Sequence, residues 1–331
     1  MSFKKKLFML KKVADDFKRG SDFYRISDEM TSPDLGEYYL IFDEDIVRSK
    51  LVQSLIADYD ENGIPLNRPY IDVSSSELIY YPITIGQVGL SVFHTYLRTK
   101  SESDLKRFIK FADWFVNNGE EKNELGMRWL THVPLPAYQN SGPWQSAFSQ
   151  SRAISILLRA FQLTKESLYL ETAQKALVSY EFPVSKGGVM SLTKWGPFFE
   201  EYPSHVPVLV LNGHIFSIFG LFDFHRVFPE DERCTQLINN GLNTLFASLP
   251  SFDLGYWSRY NYCHADFYPD IDPATISYHR LHIILLKAVN KFRKDAVLSE
   301  YIEKWKDYIG FQNFMKAMFL KYKALKKLNR I

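Results

Sequence analysis

A chain of 331 residues with 46% hydrophobic and 16% aromatic content is too apolar to stay disordered and long enough for one large or two ordinary domains. Its net charge of +2, with the two signs balanced, gives nucleic acid no electrostatic footprint, although an anionic glycan needs only a local patch. Two cysteines, Cys234 and Cys263, make neither a disulfide framework nor a zinc spacing, so no metal is expected and a reducing compartment fits.

In chain order, the start MSFKKKLFMLKKVADDFKRG holds only the short apolar run Leu7 to Leu10, too short for a signal-peptide core or a membrane span. A cytoplasmic protein is expected. Lys4, Lys5, Lys6, Lys11 and Lys12 form a solvated basic end that also allows peripheral association with an anionic membrane surface. Residues 1 to 25 are predicted as a short basic helix. Residues 26 to 80 lack a helical period, and Tyr38 to Phe42 and Tyr70 to Val73 are predicted as short extended pieces. Residues 1–80 therefore form a lead-in segment to a single helical unit over residues 81–331.

Apolar spacing then predicts eight helices: Ile85 to Thr99, Glu102 to Asn118, Gln145 to Leu163, Glu166 to Tyr180, Asn212 to Arg226, Asp231 to Leu249, Ala274 to Asn290, and Ser299 to about Leu325. Links within successive pairs are short, as at Lys100–Ser101 and Thr164–Lys165. Links between pairs are long and rich in aromatics, carboxylates, Gly and Pro, as over Gly119 to Trp144, Glu181 to Leu211 and Pro250 to Pro273. This alternation predicts a mainly α fold, an (α/α) toroid or barrel of about four helical hairpins, with the long links sharing one rim and building a cleft there.

The stretch from Pro197 to Phe224 carries the densest chemistry. Glu200, Glu201 and Tyr202 lie between Pro197 and Pro203, where proline disfavours helix, and Asn212 is the expected N-cap of the apolar helix that follows. Two carboxylates and a phenol at a helix N-terminus read as a site. His279, His282, His264 and the acidic run Asp266, Asp270 and Asp272 have spacings too loose to argue for a metal.

Six blocks in order carry a family resemblance: YYPITIGQVGL from Tyr80, WQSAFSQSRAISILLRAFQLT from Trp144, EEYP with VLNGHIFSIFGLFDF, YWSR from Tyr256, YHRLHI from Tyr278, and YIEKWKDYI near the end. Over roughly residues 80 to 310 the chain resembles the C-terminal helical domain of the heparan sulfate D-glucuronyl C5-epimerase family. In that family a β-sandwich insertion follows a block like the first. Here Phe111 to Asn118 follows almost at once, so the β module is missing or replaced by the short N-terminal segment.

The chemistry follows from the substrate the resemblance implies. C5 of a uronic acid lies α to a carboxylate, so its proton leaves if a cation neutralises the growing charge and a base faces one side of the ring. Inversion adds an acid on the opposite face. Arg259 suits the cationic role because a guanidinium grips a carboxylate in bidentate fashion, and Glu201, Tyr202, Tyr256 and Tyr278 are candidates for the others. The resemblance assigns the same five as catalytic residues: Glu201 and Tyr202 from EEYP, Tyr256 and Arg259 from YWSR, and Tyr278 from YH.

Tyr81, Gln87, Trp144 and Gln145, with Glu200, Asn212 and His279, are candidates for binding substrate along the cleft. Arg152, also a candidate lining residue, reads equally as half of an ordinary ion pair. Two departures from the family pattern, Trp257 where it has an acidic residue and Arg280–Leu281 where it has small polar residues, point to a different polymer or a weaker activity. The activity implied is a cofactor-independent interconversion of D-glucuronate and L-iduronate residues in an acidic, heparosan-like polysaccharide by a homodimer. No Gly-rich nucleotide loop supports a nicotinamide cofactor. Two alternatives remain open: a lyase acting on uronate-containing glycans, which needs the same proton abstraction, and a glycan-binding protein without turnover.

Overall fold

The computed structural model describes residues 24–49 and 55–331 of the chain. The basic helix expected at the start, with its lysines, lies outside the described residues. Ten helices occur among them: α1 (Glu44–Arg48), α2 (Pro82–Thr99), α3 (Glu102–Asn117), α4 (Ala147–Thr164), α5 (Ser167–Leu177), α6 (Leu211–Val227), α7 (Glu232–Phe252), α8 (Ile276–Phe292), α9 (Ala296–Asp307) and α10 (Phe311–Lys327).

The burial pattern sorts the helices into two layers. From Pro82 to His94 every residue of α2 is buried, as is every residue of α4 from Ala147 to Ala160, and α6 is buried almost throughout. Helix α3, by contrast, buries only Phe108, Phe111, Ala112 and Phe115, one stripe at helical spacing. Helices apolar on all sides belong inside, and those with one apolar stripe belong outside. The inner helices contact one another in the order α2, α4, α6, α8, and each packs on the outer helix that follows it. This is the (α/α) toroid of four hairpins that the alternating link lengths predict.

Short strands occupy the lead-in and the long links. In the lead-in, β1 (Arg25–Ile26) pairs with β2 (Leu40–Ile41), and β3 (Ile56–Tyr59), β4 (Pro65–Asn67) and β5 (Ile79–Tyr80) make a three-stranded antiparallel sheet. The remaining strands are three two-stranded antiparallel ribbons: β6 (Glu120–Lys122) with β7 (Gly126–Arg128), β8 (Leu130–Thr131) with β9 (Trp144–Gln145), and β10 (Met190–Thr193) with β11 (Gly196–Phe199).

Three expectations are corrected here. Tyr70 to Val73 is a turn, closed by the Val73 amide on the Tyr70 carbonyl at 2.9 Å, and the extended residues lie to either side of it. The single helix expected from Ser299 to about Leu325 is two. Asp295 caps α9 through the Val297 amide, and Gly310, in extended conformation, starts α10 afresh. Asn212 is not an N-cap: extended Val210 precedes the helix, which begins at Leu211, and the Asn212 side chain is turned elsewhere.

The lead-in packs into the helical core. Tyr39 stacks on Phe219 of α6, with ring centroids 4.6 Å apart, and meets the edge of Phe292 of α8 at 5.8 Å. The Tyr38 amide donates to Nε2 of His94 on α2 at 3.0 Å, and Lys291 of α8 donates to the Ser27 carbonyl at 2.9 Å. These contacts join the first and last inner helices of the ring. Beneath them Arg159 of α4 and Asp223 of α6 form a fully buried ion pair at 2.6 Å.

Candidate active site

Glu201 is held where three backbone segments meet. Strand β11 runs into it, and His214 of α6 pins that strand: Nδ1 accepts from the Phe199 amide at 2.9 Å while Nε2 donates to the Gly241 carbonyl of α7 at 3.0 Å. The Glu200 carbonyl then accepts from the Ala147 amide at the start of α4 at 2.9 Å. The Glu200 side chain is committed to the loop, its carboxylate accepting from Ser191 Oγ and from the Val208 and Leu209 amides at 2.6, 3.1 and 3.0 Å. Expected to bind substrate, it is instead a buried strut beneath the site.

The Glu201 carboxylate accepts from Asn212 Nδ2 at 3.0 Å and lies against Gly213, where an added Cβ would fall 2.6 Å from its Oε2. Both residues are in the first turn of α6, whose N-terminal partial positive charge favours a carboxylate. Burial acts more strongly in the other direction and pushes Glu201 up to about 7, against the lowering influence of the Tyr202 phenol and the Asn212 amide. A carboxyl group poised near neutrality can both accept and return a proton.

Tyrosines surround it. Tyr202 stacks on Tyr138 at 5.4 Å, and Tyr138 stacks in turn on Tyr268 at 5.5 Å. Trp144 and Tyr70 present edges to Tyr202 at 5.6 and 6.5 Å, and Tyr81 joins its hydroxyl to that of Tyr70 at 2.6 Å. Tyr260 meets Tyr278 edge to face at 4.9 Å, and its phenol lies within electrostatic reach of Glu201. Burial raises the phenols of Tyr202, Tyr138 and Tyr260 well above the ordinary tyrosine value and that of Tyr70 to about 12. They are neutral hydrogen-bond and proton donors.

Of the residues expected at the site, Glu201, Tyr202, Trp144, Tyr81 and Asn212 come together directly, and Tyr278 stands one ring away through Tyr260. Gln87 is buried on α2, and both amide atoms of buried Gln145 lack a protein partner among the described residues. Tyr256 packs with Tyr260 and Tyr278 against Trp257, Ala274 and Ile276, and Arg259 immediately precedes Tyr260. The Arg259 guanidinium donates to the Asp270 carbonyl at 2.5 Å and sits over the Tyr262 ring at 5.5 Å, while Tyr256 lies under Lys316 at 3.9 Å. His279 is fully buried, stacked on Trp257 at 3.9 Å, with Nδ1 accepting from the Ser258 amide and Nε2 donating to the Trp305 carbonyl. It supports the fold and does not face a cleft.

Among the described residues Arg152 makes no ion pair, and its guanidinium nitrogens are buried without hydrogen-bond partners, within electrostatic reach of Glu201. Its guanidinium is caged by the rings of Tyr38, Phe42, Phe148 and Phe216 at 4.7 to 5.5 Å. Beside the Glu201 loop, Trp195, Tyr262, His264 and Lys194 line a surface groove of about 450 Å³ that also touches Leu209, next to the Glu200 strut. Paired rings over a groove with a cation suit the apolar faces and acidic groups of a uronate-containing sugar chain. No group of three or more His, Cys, Asp or Glu residues suited to a metal ion occurs among the described residues.

A family profile described as the D-glucuronyl C5-epimerase C-terminus matches residues 123–307, more than half of the chain and the part that holds Glu201, the tyrosine stack and the Tyr260–Tyr278 pair. The chain belongs to this family. A D-glucuronyl C5-epimerase of Caenorhabditis elegans is 28% identical over 237 residues, 68% of this chain but only 38% of the nematode protein. An uncharacterized protein of Methanocaldococcus jannaschii is 25% identical over 260 residues, 72% of this chain and 81% of that one. Among solved structures, a GH76 α-mannanase of Bacteroides thetaiotaomicron aligns with TM-score 0.45 and 17% identity, covering 71% of this chain and 59% of the other. An unsaturated glucuronyl hydrolase of Bacillus sp. GL1 aligns with TM-score 0.44 and 14% identity, covering 71% and 61%.

Within this C5-epimerase family member, α10 begins after the matched residues end, and it returns to the site. Lys321 bonds Asp272 at 2.7 Å and lies over Tyr260 at 5.0 Å, while Lys327 donates to the Tyr268 carbonyl at 2.7 Å. Sequence reasoning missed Tyr70, Tyr138, Tyr260 and Tyr268 as neighbours of Glu201. Tyr260 had a signal, directly after Arg259 in the YWSR block, but the others are joined to Glu201 only by contacts between distant links. No helix among the described residues is long and apolar enough to cross a membrane.

Proposed function

We propose that this chain epimerises C5 of D-glucuronate residues within an acidic, heparosan-like glycan, without a cofactor. The observation that carries the reading is one buried cluster, inside the family-matched residues, that combines a near-neutral carboxyl group with several neutral phenols. Glu201 is the base. Its ionised form takes the C5 proton, and the C–H electron pair moves into the bond toward the uronate carboxylate, which becomes an enediolate.

A phenol on the other face, from the Tyr260–Tyr278 pair, then gives its proton to C5, and the configuration inverts. Proton return from Glu201 and to the phenolate resets the site. Neutral tyrosines suit this division because a phenol donates unaided, whereas as a base it would need a cation to depress it. Arg259 is the cation the family resemblance implies for neutralising the enediolate.

The test is incubation of the purified chain with N-acetylheparosan in deuterium oxide, followed by proton NMR. Deuterium is expected at C5 with polymer length unchanged, and Glu201→Gln is expected to slow labelling by at least about 100-fold. Shortened chains with ultraviolet-absorbing unsaturated ends would instead mean a lyase, and binding without labelling would mean a glycan receptor. Either result overturns the proposal.

A further inference from the structure

Arg330 follows α10 and lies outside the family-matched residues, yet it reaches the tyrosines around Glu201. Its Nε donates to Oδ2 of Asp72 at 3.0 Å, and its guanidinium carbon lies 5.9 Å from the centroid of the Tyr70 ring, which itself faces Tyr202. The Arg330 side chain is 23% exposed and that of Asp72 only 5%. The guanidinium is thus fixed on its Nε side by a buried carboxylate beside Tyr70. A guanidinium has two edges that can bind an anion, side-on through Nε and end-on through the two Nη atoms, and Asp72 takes the Nε side. The Nη1–Nη2 edge is the one that suits a second carboxylate in bidentate fashion.

Two further observations place Arg330 toward the reacting groups. Arg330 interacts electrostatically with the phenols of Tyr138 and Tyr202, the two rings stacked beside Glu201. Arg259 donates through Nη1 to the Asp270 carbonyl and lies over the Tyr262 ring, while its Nε is buried without a hydrogen-bond partner among the described residues. Lys321 and Lys327 anchor α10 to Asp272 and Tyr268 and so hold this helix across the rim.

We propose that Arg330, delivered by α10, binds the uronate carboxylate beside Tyr70 and Tyr202, with Asp72 orienting it. The proposal rests on the epimerase reading for the identity of its ligand. In that setting the arginine serves twice: it selects an acidic sugar over a neutral one, and together with Arg259 it neutralises the charge that grows on the carboxylate as C5 loses its proton.

The test compares the full chain with its Arg330→Gln, Arg330→Lys and Arg259→Gln variants. It measures C5 deuterium labelling of N-acetylheparosan, and affinity for N-acetylheparosan and for its carboxyl-reduced, neutral form. Arg330→Gln is expected to raise KM and weaken binding of the acidic polymer by roughly 10- to 100-fold, the range for a charge-assisted pair. Binding of the neutral polymer should not change, and Arg330→Lys should recover part of the loss because it restores charge without the fork.

Acidic-polymer affinity within twofold of the parent in Arg330→Gln overturns the proposal. So does equal loss of the neutral polymer, which would mark a structural role, and so does a KM effect confined to Arg259→Gln. If the parent chain labels no C5 position, the epimerase reading fails by itself. The affinity comparison between acidic and neutral polymers still decides the role of Arg330.

Discussion

Glu201 sets chemistry against stability. Its carboxyl titrates in the folded chain at about 7, raised from 4.5 by burial. A group raised in this way favours folding while it stays protonated, and that contribution is lost as pH rises from the unfolded value through the folded one. A base is competent only after losing its proton, so C5 labelling should climb between pH 5 and pH 8 with a midpoint near 7. A pH-rate profile that is flat over this window, or that falls, would assign the base elsewhere. Stability should move the other way. Gln at this position cannot ionise, so Glu201→Gln should raise the melting temperature at pH 8 and change it little at pH 5, with a difference of roughly 2–4 kcal/mol between the two. The EEYP sequence singled out Glu201 and Tyr202 as candidates by their company, but not the different surroundings of the neighbouring glutamates. That Glu200 faces three donors and Glu201 the Asn212 amide and the tyrosines follows from where β11 and the Val208–Leu209 segment come to rest, and such contacts leave no local pattern.

The helices were legible because apolar residues at helical spacing and short links within pairs carry that information locally, and tertiary packing then confirmed the pairs. The break at Gly310 was missed because α9 and α10 both hold apolar residues in helical register, and only Tyr308, Ile309 and the extended Gly310 separate them. The same miss concealed α10 as an element able to return to the rim. Helix α6 shows what an element contributes beyond its register. Gly213, in its first turn, leaves the space that the Glu201 side chain occupies: an added Cβ would lie 2.4 Å from Glu201 Cβ. Gly213→Ala therefore has to displace the carboxylate from Asn212. Ala is the better helix former by about 1 kcal/mol, so the variant should stay folded while C5 labelling falls by at least about tenfold, as expected for a general base moved off its geometry. Circular dichroism alongside the labelling assay checks both halves, and unchanged labelling would mean that the Glu201 position is not critical.

At the scale of the molecule, the inner helices α2, α4, α6 and α8 form the ring and the lead-in helps to join its ends. Length and composition did not reveal this, because residues 26 to 80 show no period and their partners lie far along the chain. The wedge is Tyr39, fully packed between Phe219 of α6 and Phe292 of α8. Its hydroxyl is buried and has no hydrogen-bond partner among the described residues. The ring and the hydroxyl should therefore act oppositely on stability. Removing the ring leaves a cavity between two inner helices, and Tyr39→Ala should cost about 3–5 kcal/mol. Removing only the hydroxyl relieves an unsatisfied buried group, so Tyr39→Phe should be neutral or stabilising by up to about 1 kcal/mol. Urea denaturation followed by tryptophan fluorescence separates the two. If Tyr39→Ala unfolds at the same urea concentration as the parent, the lead-in does not brace the ring. If Tyr39→Phe is destabilised as much as Tyr39→Ala, the hydroxyl carries the effect and the packing argument fails.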